Sequence, residues 1–107
     1  MRTLPKTLKL NSYSDPGHGW IKVKRSLLQS LGIADKITRY SFQRGQWVYL
    51  EEDCDASTFM DACKAMGIEV SFSHKCGNRQ SRIRQYDRYC FDLIDAAYKN
   101  LIIVRVS

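Results

Sequence analysis

Two histidines and four cysteines are the residues of this 107-residue chain best suited to acid–base or nucleophilic chemistry. His18 stands in Ser14-Asp15-Pro16-Gly17-His18-Gly19-Trp20. A histidine there could act as a general base, because its pKa lies near neutrality and flanking glycines admit a substrate. Catalysis would also need a nucleophile or an orienting partner, and only Asp15 is close in sequence. The stretch has neither the G-x-x-x-x-G-K-[ST] of a phosphate loop nor the G-x-G-x-x-G of a dinucleotide site. Asp15-Pro16-Gly17 is turn chemistry: an aspartate that bonds back to the chain, a proline that fixes φ, and a glycine free to take positive φ. The plainer reading is a turn, with a binding loop of Asp15, His18 and Trp20 as the alternative.

The cysteines point to little more. Cys54, Cys63, Cys76 and Cys90 are separated by 8, 12 and 13 residues, without a C-x-x-C pair or paired histidines, so the spacing does not support a zinc site. Cys54 lies near an expected helix N-terminus, which favours a thiolate, but Glu51, Glu52, Asp53 and Asp55 surround it and oppose ionisation. Cys63 falls on an apolar stripe, and Cys76, beside His74 and Lys75, is the best placed to react. No catalytic constellation, metal set or cofactor motif emerges, and the reading favours a non-enzymatic protein.

Two charged segments suit partners better than chemistry. Glu51, Glu52, Asp53 and Asp55 would complement the positive end of a helix or dock a basic partner; a divalent-metal site is the lesser alternative, since no second cluster of ligands accompanies them. Lys75, Arg79, Arg82, Arg84 and Arg88 form a basic run with Tyr86 and Tyr89 interleaved. Arginine forks suit phosphates and aromatic rings stack on exposed bases, so this run is the candidate partner or nucleic-acid surface. Charge is unevenly spread: residues 1–44 carry nine Lys and Arg against two acids, 45–74 one against six, and 75–107 seven against three. Such a pattern fits nucleic-acid binding or docking on a complex surface.

These residues need elements to place them. Thr3–Leu10 reads as a short edge strand, and Trp20–Val23 alternates as a half-buried strand. Lys24–Leu31 reads as a short helix stopped by Gly32. Residues 37–51 read as a hairpin turning at Arg44-Gly45, with Tyr40, Phe42, Trp47 and Tyr49 on one face and Ile37, Val48 and Leu50 on the other. That aromatic face would be core or, if exposed, a platform for single strands. Residues 55–67 form an amphipathic helix through Ala56, Phe59, Met60, Cys63 and Met66, with Asp53 or Asp55 as N-cap. Ile68–Phe72 alternates as a strand and 75–81 is a loop. Beyond it, either one helix begins near Ser81 or a loop or short strand precedes a helix near Asp87. The apolar 101–106 run is β-prone and offers an edge for pairing, including homodimerisation. The expected fold is α+β: a small mixed or antiparallel sheet of about four to five strands with two to three helices. One domain over 1–107 is expected, with 87–107 as a C-terminal extension.

With 44% apolar residues the chain can bury a core, and no apolar run is long enough to cross a bilayer. Unpaired cysteine spacing and the lack of a signal-like N-terminus lead to an expectation of a cytoplasmic protein.

Three stretches carry a resemblance: SDPGHGWIKV at 14–23, LGIADKITRYSFQRG at 31–45 and VYLEEDCDA at 48–56. They resemble small uncharacterised proteins of bacteriophages, prophages and plasmids, which continue into a stretch like 67–72 and a basic one like Ser81–Tyr86. The similarity spans roughly 10–86, and the segment from Asp87 departs from it. It implies no catalytic residue. It implies an accessory protein of a mobile element in a bacterial cell, binding and modulating a host or antiviral-defence component, including a nucleoprotein such as a CRISPR complex. A small basic DNA- or RNA-binding regulator is the alternative.

Overall fold

The computed structural model describes residues 4–77, 79 and 81–91. Its elements are β1 (Thr7–Ser14), β2 (Gly19–Lys24), α1 (Arg25–Ser30), β3 (Phe42–Arg44), β4 (Trp47–Glu51), α2 (Asp55–Ala65), β5 (Glu69–Cys76) and β6 (Asp87–Arg88), with 3-10 turns at Ala34–Lys36 and Arg82–Gln85. The strands form one mixed sheet in the order β5-β1-β2-β4-β3-β6, in which β1 and β5 are parallel and the other pairs antiparallel. The α+β class therefore holds, while the described residues contain six strands and two α-helices.

Strand alternation explains the layers. Ile21 and Val23 of β2 and Val48 and Leu50 of β4 point to one face, where α1 and α2 cover them with Leu28, Ala56, Phe59 and Cys63. Val23, Leu28, Val48, Leu50 and Phe59 are fully buried, each worth about 1.5–3 kcal/mol relative to exposure. Tyr89 joins this core and its hydroxyl donates to the Ala34 carbonyl, so it is not available to stack on a base. The intervening residues face the other way. There Trp20, Phe42, Tyr49 and Ile83 form a second buried cluster, flanked by Tyr13, Trp47 and Tyr86.

Several boundaries differ from those expected. β1 is not an edge: it runs to Ser14 between β5 and β2, because α2 carries the chain across to pair β5 on its outer side. β5 continues through Lys75 and Cys76, and Gly77 N still donates to the Ser14 carbonyl at 2.9 Å. The hairpin turns at Gly45-Gln46, since Arg44 pairs with Trp47 and Phe42 with Tyr49. Gly45 takes φ 59°, which glycine adopts without the strain an arginine would meet. Tyr40 lies before the strand and is 66% exposed, and Met66 at the end of α2 is 58% exposed rather than on the buried stripe.

No helix starts at Ser81 or Asp87. A 3-10 turn over Arg82–Gln85 gives way to extended backbone at Tyr86, and β6 then pairs with β3. Helical spacing here reflects one short turn that drops Ile83 onto the second cluster. Residues 101–106, and the rest of the expected extension beyond 91, lie outside the described residues. Among the described residues, no helix is long and apolar enough to cross a membrane.

Candidate functional site

Among the described residues α1 and α2 pack on one face of the sheet, and pairing register sets what the other face presents. Across it, Lys22 lies beside Tyr49, Lys24 beside Trp47, and Arg44 beside Trp47. Asn11 lies beside Lys22, Lys75 beside Tyr13, and Arg88 beside Phe42. Lys24, Arg44, Lys75 and Arg88 are exposed, while Tyr13, Lys22 and Trp47 are half-buried. The cations lie on the rings: the Lys22 ammonium is 4.3 Å from the Trp47 ring centre and the Arg44 guanidinium 5.0 Å from that of Tyr86. Tyr49 and Tyr86 approach at 5.1 Å between centroids. Burial, reinforced by Tyr86 and Tyr13, pushes the Tyr49 phenol up to about 12, so it stays neutral. The result is an aromatic floor set among lysines and arginines.

The segment carrying Ile83 and Arg84 crosses this face and is fastened by Asp15. Both carboxylate oxygens of Asp15 accept from Arg84, at 2.7 and 2.9 Å, and Ser81 N donates at 2.9 Å. Gly17 N and His18 N also donate to Asp15, each at 2.9 Å. A Cβ on Gly17 would fall 2.7 Å from the Arg84 guanidinium, so the absence of a side chain lets the arginine close onto the turn. Hydrogen bonding from Arg84, then from Ser81, holds the Asp15 carboxyl well below the usual carboxylate range, and the same contact raises the Arg84 pKa. Asp15 is therefore a buried anchor. Arg84 is committed to it, unlike exposed Lys75, Arg79, Arg82 and Arg88.

The acidic knot divides in the same way. Glu52 and Asp53 are exposed, whereas Glu51 and Asp55 are buried and engaged, which removes them from an acidic docking surface. Glu51 accepts from Asp53 N at 2.9 Å and Cys54 N at 3.2 Å, closing the turn into α2. Cys54 occupies the N-cap, so neither expected aspartate caps the helix. Asp55 instead accepts from Thr38 N at 3.0 Å, from Thr38 Oγ1 at 2.7 Å and from Ser41 Oγ, tying α2 to the segment before β3. Desolvation first, then Glu51, Asp55 and Asp53, pushes the Cys54 thiol up, and burial does the same to Cys63.

On the far side of the crossing segment lies a cleft of about 370 Å³, lined by His18, Trp20, Phe42, Glu51, Arg84 and Arg88 among others. The β2–β4 pairing brings His18 to the acidic knot, with His18 Nδ1 3.7 Å from Glu51 Oε1. Among the described residues, His18, Glu51, Glu52 and Asp53 can each present a ligand atom within 4.8 Å of the others, a spacing a divalent cation could use. That His18 joins the acids was not legible in the sequence, because more than thirty residues separate it from them. Trp20 is 2% exposed, and its Nε1 has no hydrogen-bond partner among the described residues.

No protein-family model matches the chain, and no curated protein or solved structure matches it either.

Proposed function

We propose that this chain is a non-enzymatic binding protein whose sheet face opposite α1 and α2 takes single-stranded nucleic acid. One observation carries the reading: among the described residues α1 and α2 pack on one side of the sheet, and strand alternation gathers Lys22, Lys24, Arg44, Lys75 and Arg88 around Tyr13 and Trp47 on the other, where Tyr86 also packs. Phosphates suit the cations, and base stacking suits rings held rigid by a sheet. A stacked base would replace the Lys22 ammonium over Trp47 and leave the lysine free to follow the backbone. The contribution of the basic run narrows to Lys75, Arg79, Arg82 and Arg88, with Tyr86 as its stacking partner.

The role in a mobile element rests on the resemblance of residues 10–86. It would set this strand within a host or antiviral-defence nucleoprotein. Fluorescence anisotropy with a labelled single-stranded oligonucleotide tests the interface. Trp47→Ala should weaken binding about fivefold or more, since a base stacked on an aromatic ring contributes about 1–3 kcal/mol. Unchanged affinity in that variant would remove the stacking platform from the account. A pull-down from bacterial lysate with and without nuclease separates the two expectations. Loss of the captured material with nuclease supports direct nucleic-acid binding, and one protein retained after nuclease favours the modulator acting on protein.

A further inference from the structure

β5 is the outermost strand of the sheet on its side: among the described residues it pairs with β1 alone. Its eight residues match β1 one for one, from Glu69 beside Thr7 to Cys76 beside Ser14, with no bulge and no proline. Glu69 N donates to the Lys6 carbonyl at 3.0 Å and Gly77 N to the Ser14 carbonyl at 2.9 Å. In a parallel ladder every second residue aims both backbone groups at the same neighbour, so Glu69, Ser71, Ser73 and Lys75 serve β1. Val70, Phe72, His74 and Cys76 therefore aim theirs outward, where no described strand receives them. Ser71 Oγ donates to the Leu8 carbonyl at 3.4 Å and His74 Nδ1 is hydrogen-bonded to Ser12 Oγ, so both side chains lean toward β1 instead of capping this edge. An open edge of this length is a template for another strand.

The strand that fits it is β5 itself, run antiparallel. A two-fold axis at Phe72 sets Phe72 against Phe72, Val70 against His74, Ser71 against Ser73 and Glu69 against Lys75. The outward residues then fall in hydrogen-bonded pairs, with about six main-chain bonds in all. Glu69 and Lys75 fall in the non-hydrogen-bonded pairs, where side chains approach most closely, and their charges are opposite. Moving the axis to Ser71 or Ser73 would set Lys75 against Gly67 or Ser71, so charge and the half-buried Phe72 select one register. We propose that β5 pairs in this register with β5 of a second copy of the chain, joining two six-stranded sheets into one continuous sheet. A second copy is the partner because one segment supplies both halves of the match, acid to base and ring to ring. Paired residues share a face, so both copies turn Lys75 and the cationic face to the same side. The inference stands apart from nucleic-acid binding, which needs no dimer.

Sedimentation velocity of the full chain over a range of concentrations should show a dimer of twice the monomer mass. Glu69→Lys and Lys75→Glu each set like charges opposite, and each should raise the dimer dissociation constant about fourfold or more, because two facing pairs turn from attraction to repulsion. The double variant Glu69→Lys/Lys75→Glu should restore the dimer, and mixing the two single variants should give a heterodimer. Within one copy these residues are about 20 Å apart along the strand, so the rescue has no source inside the monomer. His74→Pro, which removes an outward N–H and leaves the β1 ladder intact, should weaken the dimer without changing the circular dichroism spectrum. A chain that stays monomeric at every concentration would overturn the proposal, including the case in which residues 101–106 fill the edge. A dimer indifferent to both charge reversals, or one that the double variant fails to restore, would overturn it as well.

Discussion

Asp15 and Arg84 fasten the chain across a separation of 69 residues. The Asp15 carboxyl titrates well below an unfolded aspartate, principally through the Arg84 hydrogen bond. Its contribution is complete above the unfolded pKa near 4 and drains away as pH falls through that value toward the folded one. Thermal melts between pH 6 and 2 should show wild type losing more stability below pH about 4 than Asp15→Asn, which starts less stable at neutral pH. Parallel pH curves for the two would contradict this role. The sequence made Asp15 legible as a turn residue, because its bonds to Gly17 and His18 are local. Its bond to Arg84 was not legible, since nothing in a basic run distinguishes the arginine that is committed to a carboxylate.

At the scale of elements, Asp55 joins α2 to the segment before β3. Asp55→Ala strips Thr38 and Ser41 of their acceptor and should cost about 3 kcal/mol in urea unfolding, through a lower midpoint at an unchanged slope. A loss near zero would show that water replaces the carboxylate. The β3–β4 turn makes a smaller demand. Gly45→Ala meets no atom within 4 Å, so its cost is the backbone conformation alone, about 1 kcal/mol in the same assay. Alternation in Trp20–Lys24 and Trp47–Glu51 made β2 and β4 legible, and helical spacing made α2 so. The 82–90 segment misled because Ile83 and Tyr86, three apart, suit a single 3-10 turn as well as a helix. Only the pairing of Asp87 and Arg88 with β3 decides between them.

For the whole molecule, the distribution of charge follows the sheet. Residues 1–44 and 75–88 supply the cations that meet on the face opposite α1 and α2, and the acidic stretch 51–55 closes the opposite end of β4. Charge asymmetry was legible in the sequence. That Lys22, Arg44 and Lys75 share one face was not, because it depends on β1 lying between β2 and β5 and on the hairpin register. A salt titration of single-stranded oligonucleotide binding tests the central claim most directly. If the face binds phosphates through about four cations, log affinity should fall linearly with log salt at a slope near −3. The double variant Lys22→Ala/Arg44→Ala should flatten that slope by about one to one and a half. A weak, salt-insensitive affinity, or a steep slope untouched by the double variant, would contradict a nucleic-acid interface on this face.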